Sequence, residues 1–256
     1  MANIFRVGLS GQGKSKDKVP VLGEDFTYTG SCEVIDDSDE VSGVQWRIKF
    51  YTSGTLVTNQ DWVVDLFLVG GGGNGAAYGA SNSAGGGGGG GYTGTFKKLT
   101  ISAQQSYSIV VGGATGSTSA LGQSVNGGSA VANGVTIGGA GGSGGGGGGG
   151  GPAAGGNGGS DGSDGVNGYG GKGQGTTTRE FGETGATLYA GGGGGGTRNG
   201  SIGYGGAGGG GNGNSDTIGV GVAGTANTGG GGGGGFGTNT RSAGGSGIAI
   251  IRKAKN

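Results

Sequence analysis

The chain has 256 residues and no net formal charge, and 82 of its residues are glycine. Two prolines exclude collagen, which needs a strict Gly-X-Y period rich in proline. Zero net charge supplies no basic surface for nucleic acid, no run of about 20 apolar residues offers a membrane span, and a single cysteine, Cys32, excludes an internal disulfide framework.

The first 30 residues contain no apolar segment of signal-peptide length, so Met1–Arg6 reads as a cytoplasmic start. Gly8-Leu9-Ser10-Gly11-Gln12-Gly13-Lys14-Ser15 matches the P-loop spacing. That loop works only at a helix N-terminus, and the next residues, Lys16-Asp17-Lys18-Val19-Pro20, make a poor helix with an early proline. A basic loop is the better reading. Residues 1–69 hold only seven glycines, both tryptophans and ten of the fifteen acidic residues. The composition changes there, and we divide the chain into an N-terminal domain at 1–68 and a glycine-rich domain at 69–256.

Val44–Phe50 alternates apolar and polar residues with period two and predicts a strand. Trp62–Val69 is a nearly continuous apolar strand that runs straight into glycine. Further strands are predicted at 96–101, 107–111 and 248–252. No segment sustains a period of 3.6, so no long α-helix is expected. Between these strands lie pure glycine runs at 85–91, 144–151, 191–196 and 229–235.

Glycine costs about 0.5–1 kcal/mol more than alanine per position in lost backbone freedom. Folding such runs therefore needs an interaction that other residues cannot make. Polyglycine type II helices supply it, with three residues per turn, no internal hydrogen bonds, and N–H and C=O groups that must find partners on neighbouring helices. The expected fold is mostly irregular and β, a layered sandwich of packed polyglycine II helices with short strands at one end and a small N-terminal β-rich domain. Interior glycines such as Gly88, Gly147 and Gly232 should then reject alanine, and Ser143 should accept it.

There is no histidine, which removes the commonest general base and zinc ligand. Asp161, Asp164, Glu180, Glu183 and Asp216 are scattered among glycine-rich loops without a rigid element to pair them. We find no catalytic constellation and expect a non-enzymatic protein without cofactor or metal. The segments between runs, such as 74–84, 114–126, 176–190, 197–204, 212–228 and 237–243, are rich in Tyr, Ser, Asn and Thr with isolated Arg. Antibody loops use the same vocabulary for recognition.

Three features carry a resemblance: Phe67-Leu68-Val69 followed by glycine, repeated Ala/Thr-then-polyglycine runs, and the closing Ala243-Gly244-Gly245-Ser246-Gly247-Ile248-Ala249-Ile250-Ile251-Arg252. They make the chain similar to the tip adhesins of T-even-type bacteriophage long tail fibres, most strongly over 62–256. The resemblance implies a virion protein at the distal fibre tip, made in the host cytoplasm. It implies an N-terminal domain seated on a trimeric tail-fibre protein, and loops that bind a porin-like bacterial outer-membrane protein and set host choice, with no nucleic-acid partner and no membrane insertion. Attachment is expected through Phe5, Val7, Trp46 and Phe50.

Chain direction orders the loops. The strand at 62–69 feeds an outgoing run, so 74–84 lies at the far end. The same reasoning puts 114–126 and 237–243 there, with 152–228 left ambiguous. The expected receptor residues are Tyr78, Asn82, Ser119, Asn239 and Arg241, then Arg179, Phe181, Arg198 and Tyr204. The alternatives are a self-associating structural glycine-rich protein without a receptor, an ice-binding protein, for which loops bearing Arg179, Phe181, Glu183 and Arg198 supply no flat face, and the disfavoured P-loop enzyme.

Overall fold

A computed structural model describes residues 18–40, 43–77, 84–148, 156–159, 162–166, 169–173, 177–197, 203–214, 221–236 and 241–255. Among these residues ten strands form two antiparallel sheets: β1 Phe26–Tyr28, β2 Cys32–Asp36, β3 Trp46–Phe50, β4 Gly54–Thr58, β5 Trp62–Val69, β6 Thr93–Ile101, β7 Ser106–Val110, β8 Thr118–Ala120, β9 Gln123–Val125 and β10 Ile248–Lys253. One sheet has the order β1-β4-β7-β8-β9 and the other β2-β3-β10-β5-β6. The only helical element among the described residues is a 3-10 turn at Glu180–Gly182.

The two sheets share one apolar core. Phe26, Leu56 and Ile109 of the first meet Trp46, Ile48, Phe50, Trp62, Val64, Leu66, Leu68 and Ile251 of the second. The period-two pattern of Val44–Phe50 is explained by β3, whose Trp46, Ile48 and Phe50 face this core while Arg47 and Lys49 face away. The near-continuous apolar run of β5 has a different cause. Its Val64, Leu66 and Leu68 enter the shared core, while Phe67 and Val69 enter a second cluster on the opposite face with Phe181, Tyr189, Ile248 and Ile250. A strand buried on both faces loses the alternation.

Both sheets draw strands from either side of residue 68. β10, at the chain's end, lies between β3 and β5, pairing Ile251 with Ile48 and with Leu66. The domain boundary drawn at 68/69 falls inside β5, whose last residue, Val69, is also where the composition changes.

Beyond the sandwich, the glycine runs are tied to one another through their backbones. Run 85–91 makes no hydrogen bond within itself. Gly85, Gly88 and Gly91 donate to the carbonyls of Gly235, Gly232 and Gly229; Gly86 and Gly89 donate to Val135 and Ser129; Gly87 and Gly90 donate to Gly146 and Ser143, all at 2.8–3.1 Å. Its carbonyls accept from Gly73 and Ala76, from Gly193 and Gly196, and from Gly139 and Gly142. Every third residue thus addresses the same neighbour, and six stretches surround the run. This satisfies the backbone groups that burial would otherwise leave unpaired. A methyl group on any residue of 85–91 would lie 1.9–2.4 Å from a neighbouring carbonyl oxygen, so these positions admit no side chain.

Two sequence expectations are corrected here. The segment 114–126 is no far-end loop: it contains the β8–β9 hairpin, in which Ser119 pairs with Val110 of β7 and with Ser124. Short strands with Ser and Thr escape a pattern search because their pairing partners, not their own apolarity, define them. Ser143 is fully buried, and its Oγ accepts the Gly192 N–H at 3.2 Å, so it has a bonding role in the interior.

Candidate functional site

The glycine runs shuttle between two ends. At one end they meet the sandwich: Gly70 donates to Tyr92, Gly91 to Gly229, and Gly247 to Gly112. At the other end, Gly134 donates to Ala77, Gly148 to Thr136, Thr197 to Asn214 and Asn214 to Gly234, and Ala84 bridges to Phe236. The described residues flanking 78–83, 198–202, 215–220 and 237–240 lie toward this end.

Two groups of side chains stand out there. Arg241 donates through Nε to Asn133 Oδ1 at 2.6 Å, and the same oxygen accepts the Ala77 N–H at 3.2 Å. One amide thereby holds the exposed guanidinium against the end of the outgoing run. Beside it, Val135 and Ile137 expose large parts of their apolar surface. In the second group, the Tyr169 and Tyr204 rings stack with centroids 6.3 Å apart and planes inclined by 16°. The Gly170 N–H donates to the Tyr204 carbonyl at 2.8 Å, so backbone pairing sets the ring register. Tyr169 closes a tight turn with Val166, each residue donating its N–H to the other's carbonyl. Val166, Tyr169 and Tyr204 are 61%, 48% and 59% exposed, which makes a contiguous amphipathic patch on a rigid support.

The sequence-expected residues separate into three sets. Arg241 and Tyr204 lie at the far end. Tyr78, Asn82, Arg198 and Asn239, with Phe5 and Val7, fall outside the described residues. Ser119, Arg179 and Phe181 lie at the sandwich end, as do Trp46 and Phe50. Trp46 is 4% exposed and Phe50 fully buried, because both are inward-facing residues of β3, so neither ring presents a broad outer surface. Phe181 is 5% exposed. Its ring packs 5.9 Å from Phe67, and Arg252 Cζ stands 4.1 Å over it. Phe181 was expected on a receptor-facing loop; its residue type belongs equally to a core, and the β5–β10 face needed covering. Sequence reading missed Tyr169 and Asn133. The signal was present as the Asn167-Gly168 and Asn133-Gly134 dipeptides, a turn signature, and Gly134 takes a φ of +81°.

The sandwich end carries charge chemistry instead. Arg252 Nη2 meets buried Asp65 at 3.1 Å and its Nη1 meets Glu183 at 2.7 Å. Arg47 pairs with Asp37 and with the buried Glu180, whose other oxygen accepts the Tyr189 hydroxyl at 3.0 Å. Burial, then the Glu180 charge and hydrogen bond, push the Tyr189 hydroxyl pKa far above its ordinary value. Burial and the hydrogen bond to Glu33 push Tyr51 up to about 12. A cleft of about 570 Å³ opens beside this network, lined by Trp46, Arg47, Glu180, Phe181, Glu183 and Arg252 among others. Its Arg47, Glu180, Glu183, Arg252 and Lys255 charges are paired with one another or with Asp37 and Asp65. Among the described residues no group of three or more Cys, Asp or Glu is placed to hold a metal, and no helix is long and apolar enough to cross a membrane.

No curated protein and no solved structure matches the chain. A family model described as a glycine-rich domain matches residues 51–254, taking in β4 to β10 and every glycine run, well over half of the chain. The chain belongs to that glycine-rich domain family.

Proposed function

We propose that the chain is a bacteriophage tail-fibre tip adhesin that binds a bacterial outer-membrane protein of porin type. The observation that carries this reading is the gathering of run ends opposite the sandwich, where Tyr169, Tyr204 and Arg241 are displayed on a backbone-bonded support. Exposed aromatics and arginine are the residues that dominate contact energies, and a rigid body lowers the ordering cost of binding. In this reading the body is a stack of polyglycine II helices. The three-residue recurrence of hydrogen-bond partners and the six neighbours of run 85–91 support it. The sandwich seats the protein on a trimeric fibre, and the virion carries the far end toward the cell.

The test is a pull-down with the purified chain on intact Gram-negative cells, compared with cells stripped of individual outer-membrane proteins. Retention that disappears with one porin supports the reading. Retention on no cells, with self-association of the chain in its place, sinks it in favour of a structural glycine-rich protein.

A further inference from the structure

Three stretches of chain converge on one amide at the turn-bearing end. Residues 132–135 form a tight turn, closed by the Val135 N–H to the Ala132 carbonyl at 3.2 Å, with Gly134 at a φ of +81°. The Gly134 N–H donates to the Ala77 carbonyl at 3.0 Å, and Ala77 gives its own N–H to Asn133 Oδ1 at 3.2 Å. The third stretch begins at Arg241 and is fastened to the same outgoing run. The Ser242 carbonyl accepts the Gly75 N–H at 3.0 Å, and the Gly244 N–H donates to Asn74 Oδ1 at 2.9 Å. Arg241 Nε then meets Asn133 Oδ1 at 2.6 Å, and its Nη2 makes a longer contact of 3.4 Å with the Val131 carbonyl.

Both groups that meet Asn133 Oδ1 are N–H donors, so toward them the side chain is purely an acceptor. An aspartate would accept the same two bonds and hold the guanidinium harder, because a bond between charged groups is about twice as strong as a neutral one. Carboxylates do hold the arginines of the sandwich end, where Arg47 meets Asp37 and Glu180 and Arg252 meets Asp65 and Glu183. Arg241 is held instead by an amide and a backbone carbonyl, both neutral. Its direction is fixed while its charge is left unspent.

We infer that Asn133 is a positioning residue that presents the un-neutralised Arg241 guanidinium to a carboxylate of the bound partner. The inference rests on the adhesin reading and deepens it: the carboxylate belongs to the outer-membrane protein. A guanidinium held through Nε keeps an Nη edge that suits the two oxygens of a carboxylate. Holding the side chain beforehand removes part of the ordering cost of that contact. Val135 and Ile137, 37% and 53% exposed, supply apolar surface beside it of the kind that shields a contact from water.

Asn133→Asp separates charge from geometry, since it keeps both bonds and neutralises Arg241. The full-length chain is titrated onto intact Gram-negative cells and onto liposomes of purified lipopolysaccharide, at low and high sodium chloride, with melts read on the same preparations. The expected result is a melt unchanged or raised in Asn133→Asp, with adherence to cells weakened about tenfold and its salt dependence flattened. A role in holding the loops alone predicts adherence unchanged or tighter. Arg241→Gln should weaken adherence by a similar factor, and the double variant should be no weaker than either single one, because both changes remove the same charge. Adherence to cells within about twofold of the unaltered chain in either single variant overturns the inference and leaves the adhesin reading standing. If Asn133→Asp shows no cooperative melt, Arg241→Gln decides alone. Salt-sensitive binding to the liposomes that Arg241→Gln abolishes puts the anion on a lipid and overturns the carboxylate assignment. An unaltered chain that adheres to no cells removes the adhesin reading and this inference with it.

Discussion

A methyl group on Gly88 would lie 2.0 Å from the Gly73 carbonyl oxygen, and one on Gly232 would lie 2.3 Å from that of Ser242. Neither neighbour can withdraw without breaking its own inter-run bonding. Gly88→Ala and Gly232→Ala should each destabilise by at least the overpacking cost of about 1–3 kcal/mol. Gly113→Ala, with nothing within 4 Å of the added carbon, should stay within about 0.5 kcal/mol of the parent. Ser143→Ala falls between, losing one buried hydrogen bond worth about 1 kcal/mol. Thermal melts of the four variants check this ranking. Glu183 supplies a pH dependence. Burial raises its pKa, but hydrogen bonds from Lys255 and Arg252 outweigh that and leave it below the ordinary value. Its folded pKa is depressed, so its contribution to stability is complete above the unfolded value of about 4.3 and is lost as pH falls through the lower folded value. Glu183→Gln should therefore flatten the acid side of the stability profile measured by denaturant unfolding.

At the scale of elements, β10 decides whether the sandwich exists. It hydrogen-bonds β3 on one side and β5 on the other, and it brings Arg252 to Asp65. Asp65 is 3% exposed and Arg252 8%. Removing one partner of a buried pair strands the other charge and typically costs about 3–5 kcal/mol, so Asp65→Ala should lower the unfolding midpoint more than any single loss among the exposed pairs. A fragment of residues 1–68 lacks β6 to β10 and should show no cooperative melt, whereas the whole chain should. The strands at 62–69 and 248–252 were legible because burial on both faces demands unbroken apolar sequence. β1, β2, β4, β8 and β9 were not. They are short and half-polar, and β8 gains its place by pairing with β7 rather than by its own pattern.

For the whole molecule, the adhesin reading proposed above assigns attachment to the charged, tryptophan-bearing end and recognition to the turn-bearing end. Tyr169→Ala and Tyr204→Ala should each weaken cell binding about tenfold or more while leaving the melt unchanged, since both rings are about half exposed. Exchange of 237–243 for a loop of different host specificity should redirect adherence. The same exchange at 114–126 should instead damage folding, because it replaces the β8–β9 hairpin.

Composition and order along the chain were enough to identify glycine as the structural material, to find the long strands and to exclude histidine-based chemistry, because each of these is a property of neighbouring residues. Alternating direction also put Arg241 at the far end. The tertiary structure alone decided that Phe181 covers β5 while Tyr204 stacks on Tyr169. Those outcomes depend on which runs lie side by side. Backbone bonds between near-identical glycine stretches set that arrangement, and one glycine run carries no local mark of which other it will meet.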